Sequence, residues 1–321
     1  MFGKRSGTDP HYSPATSGLP EWLLRLGLAD PHRIGNLVLV PLVNGPVPGE
    51  PYLTQHVATQ RGVLELLEQG AGSVPHVEAC NHGGAPILIL EGDILIGAKQ
   101  NRVVSRSVLI PAGKRLSIPV GCIERGRWDQ TSAPFVAGDF SAESSLRYAT
   151  VMETNAALVG GDAPRLNQAR LWSQIDRKLH LSEVDSSSSS YYAILKKHGP
   201  SARRASIEYV VGENQLGVVA LWYDTLLGLE LVGHPETWKE VAQRLIPSLV
   251  LAAEAAEQDA ASRPATHARP AGEWLAAIAA ARIDARPAIG LGDDVALTGA
   301  GAVGSCLWHE GRPAHLVAFA S

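Results

Sequence analysis

The sequence predicts an α+β protein, and three observations carry that expectation. Between residues 35 and 125, short apolar or alternating runs recur with glycine and proline turns between them, the pattern of a sandwich-like β unit. Past residue 140, apolar positions three or four apart mark amphipathic helices. The C-terminal end returns to strands. The expected order is an N-terminal β-rich sandwich-like unit, helices, a hairpin-plus-helix unit and a C-terminal β piece. Residues 1–34 are expected to be a flexible tail with a short docking helix. Residues 35–321 are expected to form one module, β-rich over 35–125 and mixed α/β over 140–321.

Residues 1–20 are rich in Gly, Ser, Pro and Thr, as loose termini are, and Glu21–Leu26 could dock back as a short helix. Leu37–Val43 reads as a buried strand ended by Asn44-Gly45-Pro46. Thr54 is placed to cap a short helix that Gly62 stops, and Val63–Glu68 follows as a strand. Val77–Asn81, Ile87–Leu90, Ile94–Ile96, Val103–Ile110 and Leu116–Val120 complete the β-rich stretch. Leu166, Ala169, Trp172, Ile175 and Leu179 share one helix face. Ser186–Ser190 reads as an exposed loop. Leu216–Trp222 and Leu226–Val232 make a hairpin around Tyr223-Asp224-Thr225, and Pro235 opens a helix to about Glu257. Ala261–Pro270 is a linker, Gly272–Ile283 is helical, and Val295–Thr298, Val303–His309 and His315–Phe319 are strands with a tight Glu310-Gly311 turn.

A formal net charge of −4 offers no broad cationic field, so nucleic acid is not an expected partner. No apolar run reaches the length of a membrane span, and no secretory leader is evident. Three widely spaced cysteines, Cys80, Cys122 and Cys306, are not a disulfide framework, which fits a reducing cytoplasm.

Gly299–Gly304 matches the GxGxxG fingerprint, but strand rather than helix follows it and too little chain remains for a dinucleotide fold. His76, Glu78, Cys80 and His82 alternate on one strand. Alternate side chains on a strand lie about 7 Å apart, whereas zinc takes ligands converging from separate segments, so no metal is expected there. The informative stretch is Glu91–Arg102, where Lys99, Gln100, Asn101 and Arg102 follow an apolar hairpin. Lys99 and Arg102 could grip an anion, and Gln100 and Asn101 could read amides or hydroxyls. Cys122, Glu124, Arg125, Arg127 and Trp128 add a thiol, an acid, two guanidiniums and an aromatic plate. The competing reading is a solvated strand edge guarded by its cations.

Glu91–Arg102, Ser107–Gly113, Ile118–Val120, Cys122–Glu124, Gly126–Trp128 and Ser145–Arg147 together resemble the ARG and rhodanese-phosphatase-superfamily-associated protein domain family, where ARG denotes ADP-ribosylglycohydrolase. The resemblance continues through Gln215–Val219, Gly228–Glu230, Pro235–Thr237, Gly290–Gly292 and His315–Phe319, with the serine run at Ser182–Ser190 as a departure. It implies a bacterial-type protein that binds or processes an NAD-derived, ADP-ribose-type or other phosphorylated ribose metabolite. In the enzyme form of that expectation, Glu91, Glu124 or Cys122 would supply chemistry. Lys99, Gln100, Asn101, Arg102, Trp128 and Arg147 would bind ligand. In the alternative form the protein is a non-catalytic binding or scaffold module beside a separate partner enzyme. No cofactor is specified by the residues.

Overall fold

The computed structural model describes residues 13–44, 49–69, 75–129, 132, 134–163, 165–223, 225–258, 269–299 and 301–321. The chain is α+β, as the sequence predicts. It opens with helix α1 (Pro14–Leu23), held by the Ser13 hydroxyl accepting from the Ala15 amide. This helix starts earlier than the expected Glu21–Leu26 segment, and it docks through buried Ala15, Leu19 and Leu23. The remaining tail, residues 1–12, lies outside the described residues.

The largest sheet has nine strands drawn from both ends of the chain. Strands β1 (Gly27–Leu28), β2 (His32–Ile34) and β3 (Leu37–Val43) supply one side. The hairpin β13 (Gln215–Trp222) and β14 (Thr225–Leu231) joins them through β3. The meander β15 (Arg282–Pro287), β16 (Asp293–Gly299), β17 (Ala302–His309) and β18 (Arg312–Ala320) completes the sheet through the pairing of β14 with β18. Leu37–Val43 therefore departs from the expected N-terminal unit. Its buried residues face both ways, Leu37 and Leu39 into one core, Val38 and Val40 into another, so it needs cover on both faces. Of the Gly299–Gly304 stretch, Gly299 ends β16 and Gly301 precedes β17, both at positive φ, and Ala302–Gly304 are strand rather than helix.

The six-stranded sheet runs in the order β12 (Phe135–Ser141), β8 (Asp93–Gly97), β9 (Arg102–Val104), β11 (Arg115–Cys122), β6 (His76–Asn81), β5 (Leu64–Glu68). Its two ends approach at a bridge between Leu67 and Pro134. A small sheet of β10 (Val108–Ile110), β7 (Ile87–Ile89) and β4 (Leu53–Thr54) packs beside it, enclosing a core that includes Leu66, Val77, Ile87, Ile110, Ile118 and Phe135. The expected single strand Val103–Ile110 is thus two strands in different sheets. Thr54 stands at the N-cap of α2 (Gln55–Gln60), but its hydroxyl donates to Glu240 and does not cap the helix.

Helices α3 (Ser144–Gly160), α4 (Gln168–Leu181), α5 (Tyr191–Ala205) and α6 (Pro235–Gln258) share a core with the inner face of β3 and β13 and with Ile94 and Val103. Helix α7 (Ala271–Ala279) covers the opposite face of the nine-stranded sheet with α1. The expected helix over Gly272–Ile283 ends early because Arg282 already pairs with Thr298 in the sheet. Residues 261–268 of the expected linker lie outside the described residues. No described helix is long and apolar enough to cross a membrane.

Candidate functional site: a helix-walled cleft and the networks behind it

The glycine-punctuated turn after β8 folds the polar quartet inward. Arg102 is fully enclosed; its guanidinium donates to the Gln100 side-chain carbonyl (3.0 Å) and to the Cys122 sulfur (2.7 Å), and lies 3.5 Å from Glu68. The Cys122 thiol donates to the same Gln100 oxygen at 2.7 Å. Asn101 accepts from the Gly97 amide, and its own amide donates to Glu124. Arg127 donates to Glu124 through Nη2 (2.7 Å) and Nε (3.0 Å). Lys99 lies outside this core, its ammonium 5.3 Å from the ring centre of Trp128, a half-exposed indole.

The electrostatics follow from this enclosure. Burial pushes the Cys122 thiol up, although Arg102 opposes it, so the sulfur is held as a neutral thiol. Burial would also raise Glu124, but hydrogen bonds from Arg127, Ser188 and the Asn101 amide win and hold it below the usual carboxylate range. Arg102 is accordingly an internal strut rather than an exposed anion grip. Buried charges persist only when paired and hydrogen-bonded, which Gln100 and Glu68 provide.

Glu91 and Arg147 belong to a different network. Arg147, on α3, donates to Glu91 through Nε at 2.9 Å and forms a close pair with Glu230 of β14. His315 of β18 sits 3.3 Å from Glu230, and its other ring nitrogen meets the Ser107 hydroxyl at 2.7 Å. The nine residues grouped from sequence therefore separate: Gln100, Asn101, Arg102, Cys122 and Glu124 in one network, Glu91 and Arg147 in another, and Lys99 with Trp128 outside both.

Both clusters hold helices in place. Gln168, at the start of α4, exchanges two hydrogen bonds with the Cys122 backbone, 2.8 Å and 2.7 Å. The Tyr191 amide that begins α5 donates to the Ile123 carbonyl, while Ser188 donates to Glu124 at 2.8 Å. The serine run, expected as an exposed loop, is thus docked on β11, and Ser190 is buried. Arg147 fixes the first turns of α3 against both sheets.

Helices α3 and α4, together with α6, wall a cleft of about 480 Å³. Ser144, Ser145 and Tyr148 line it from α3, and Gln174, Arg177 and Lys178 from α4. The β13–β14 end contributes Trp222, Leu226 and Leu227, with Ala252 and Ala256 from α6 and Phe319 from β18. Lys178 forms a close ion pair with Glu143, whose carboxylate also accepts from the Ser145 hydroxyl at 2.7 Å. A small side chamber runs toward Tyr191, His198 and Glu254, where burial pushes the Glu254 carboxyl up. Such a space suits a drug-sized molecule: largely apolar walls with a few placed polar groups. The first turn of a helix also favours negative charge nearby.

Of the candidate catalytic and ligand-binding residues read from the sequence, none lines this cleft; Glu91, Arg102, Cys122, Glu124 and Arg147 are buried outside it. The sequence signal for the lining was faint. Glu143-Ser144-Ser145 ahead of Leu146 is a helix-start pattern, but the buried face of α3 carries Arg147, Thr150, Thr154 and Asn155, which breaks its apolar period.

The fold and cleft describe a mixed-sheet α+β protein with a single-ligand-sized helical pocket. The chain belongs to the ARG and Rhodanese-Phosphatase-superfamily-associated Protein domain family (ARPP-1), which matches residues 25–319. No curated protein and no solved structure matches it.

Proposed function

We propose that this protein binds a phosphorylated ribose metabolite of the ADP-ribose type in the helix-walled cleft and works beside a separate enzyme. The observation that carries this reading is the cleft itself. Its volume admits a nucleotide-sized ligand, Tyr148, Trp222 and Phe319 offer aromatic surface, and Arg177, the Lys178–Glu143 ion pair and the Ser144 and Ser145 hydroxyls put polar groups on its wall. The family's name, which couples it to ADP-ribosylglycohydrolase and rhodanese-phosphatase proteins, supports the ligand class. Binding without turnover is favoured because Glu91 and Glu124 are each held by an arginine and, among the described residues, the Cys122 thiol is bonded to Arg102, Gln100 and the Glu124 carbonyl rather than to a histidine.

A thermal-shift titration with ADP-ribose, NAD and ribose 5-phosphate tests this, since ligand at 100 times its dissociation constant stabilises by about 2.7 kcal/mol. One of the three should raise the melting temperature of the wild-type chain. Leu227→Trp, which fills the cleft, and Lys178→Ala should reduce that shift. A shift retained in full by Leu227→Trp would place the ligand elsewhere, and the absence of a shift with all three would remove the ligand class. Release of product from a bound ligand, followed by chromatography, would restore the catalytic reading.

A further inference from the structure

His76, Glu78, Cys80 and His82 alternate along one strand and its end, which alone does not converge on a metal, and the structure brings a second segment beside it. Strand β5 pairs with β6 so that Glu65 lies directly opposite Cys80. The His82 amide donates to the Val63 carbonyl at 2.8 Å, which continues the register and puts His82 on the same face as Cys80, two residues on. The carboxylate of Glu65, the sulfur of Cys80 and a ring nitrogen of His82 all lie within 4.8 Å of one another. Cys80 is 2% exposed, while Glu65 and His82 stand over it with about half of each side chain open to solvent.

We propose that Glu65, Cys80 and His82 form a binding site for a zinc-like divalent cation, with the fourth position taken by water. A thiolate, an imidazole and a carboxylate are a borderline-soft donor set, suited to zinc or cobalt and unsuited to calcium or magnesium, which take oxygen ligands. Tetrahedral coordination brings such donors to about 3.5 Å apart. The approach from the observed spacing falls to Glu65 and His82, whose exposed side chains can change rotamer without disturbing the core. A Glu–His surface pair alone would account for their 3.5 Å contact but not for a thiol placed beneath both. The groups facing Cys80 from the other side are Glu78 and Arg115. Arg115 lies across from Cys80 in the register with β11, and it is paired with Glu78 at 3.0 Å, so its charge is met locally. The metal would displace the thiol proton to solvent. Binding as the thiolate releases one proton per ion.

The test is a cobalt(II) titration of the full chain. One equivalent should produce the near-ultraviolet charge-transfer band of a cobalt–thiolate bond, and zinc(II) should abolish it by displacement. Cys80→Ser should remove the band, and His82→Ala should weaken binding at least tenfold. His82 is exposed, so that variant reports binding even if Cys80→Ser fails to fold. No band in the wild-type chain, or unchanged cobalt affinity in His82→Ala, would overturn the site.

Discussion

Arg147 is held between two carboxylates, one of which also meets His315, and the two do not share its charge equally. Burial pushes Glu91 up despite Arg147, and the nearby Glu230 adds to the rise. Burial also penalises Glu230, but Arg147 and His315 outweigh it and hold that group down. Glu230 is therefore the persistent anion of the trio. One Glu91 oxygen has no hydrogen-bond partner among the described residues, as suits the weaker member. A depressed carboxyl contributes stability above its unfolded value, about pH 4.3, and loses it as pH falls through the folded value. A raised one does the reverse, its contribution fading as pH rises through the folded value. Glu230→Gln should accordingly destabilise the protein at pH 7 more than Glu91→Gln, and Arg147→Ala should cost about 3–5 kcal/mol by leaving buried charge unpaired. Urea melts of the three variants check the order. Equal losses for the two glutamine variants would mean that the anion is not localised on Glu230.

The same network depends on how β13 and β14 meet. Gly217 faces Leu231 in the register, and a Cβ there would overlap the Glu230 carbonyl oxygen, a backbone atom that cannot rotate away. Gly217→Ala must push the strands apart at the place where Glu230 reaches Arg147. We expect a loss of at least about 1–3 kcal/mol, the range for overpacking. Gly228→Ala, on the partner strand, meets only ordinary contacts with Phe319 and the Ala318 carbonyl and should be tolerated. Comparison of their melting midpoints separates close packing from the general cost of altering a strand glycine. Other elements show why some were legible and some were not. The hairpin of β13 and β14 and the helix α6 carry long, regular signals ended by turn residues or opened by proline. Helix α5 carries Gly199-Pro200 in its middle, which reads as a break, yet Gly199 is where Phe140 packs closest. Ser105-Arg106-Ser107 is buried although polar, because Arg106 reaches Asp294 and Asn155 as the chain crosses from one sheet to another.

At the scale of the molecule, the nine-stranded sheet is a joint product of distant segments. Strands β15–β18 attach to β14, which attaches to β13, which attaches to β3. Phe319 and Val317 pack on Val151 of α3, while Leu316 and Ala318 belong to the core on the opposite face. Removal of residues 258–321 would strip β14 of its neighbour and open both cores. The truncated chain should lose its cooperative melt and aggregate. An unchanged melt would show that the sheet stands without β15–β18.

The sequence by itself determined the α+β class, most strands and the long α6 helix, because alternation, apolar runs and turn residues are local signals that act within a few residues. It also singled out Glu91, Arg102 and Glu124, and through the family resemblance Arg147, while a solvated strand edge stayed the competing reading. Only the tertiary structure decided what those residues do. A buried arginine and a ligand-binding arginine look alike in one dimension; their partners, Glu68 and Glu230, lie 34 and 83 residues away. The cleft was hidden for the same reason. Its walls come from α3, α4, α6, the β13–β14 end and β18, so no short stretch of chain carries its pattern.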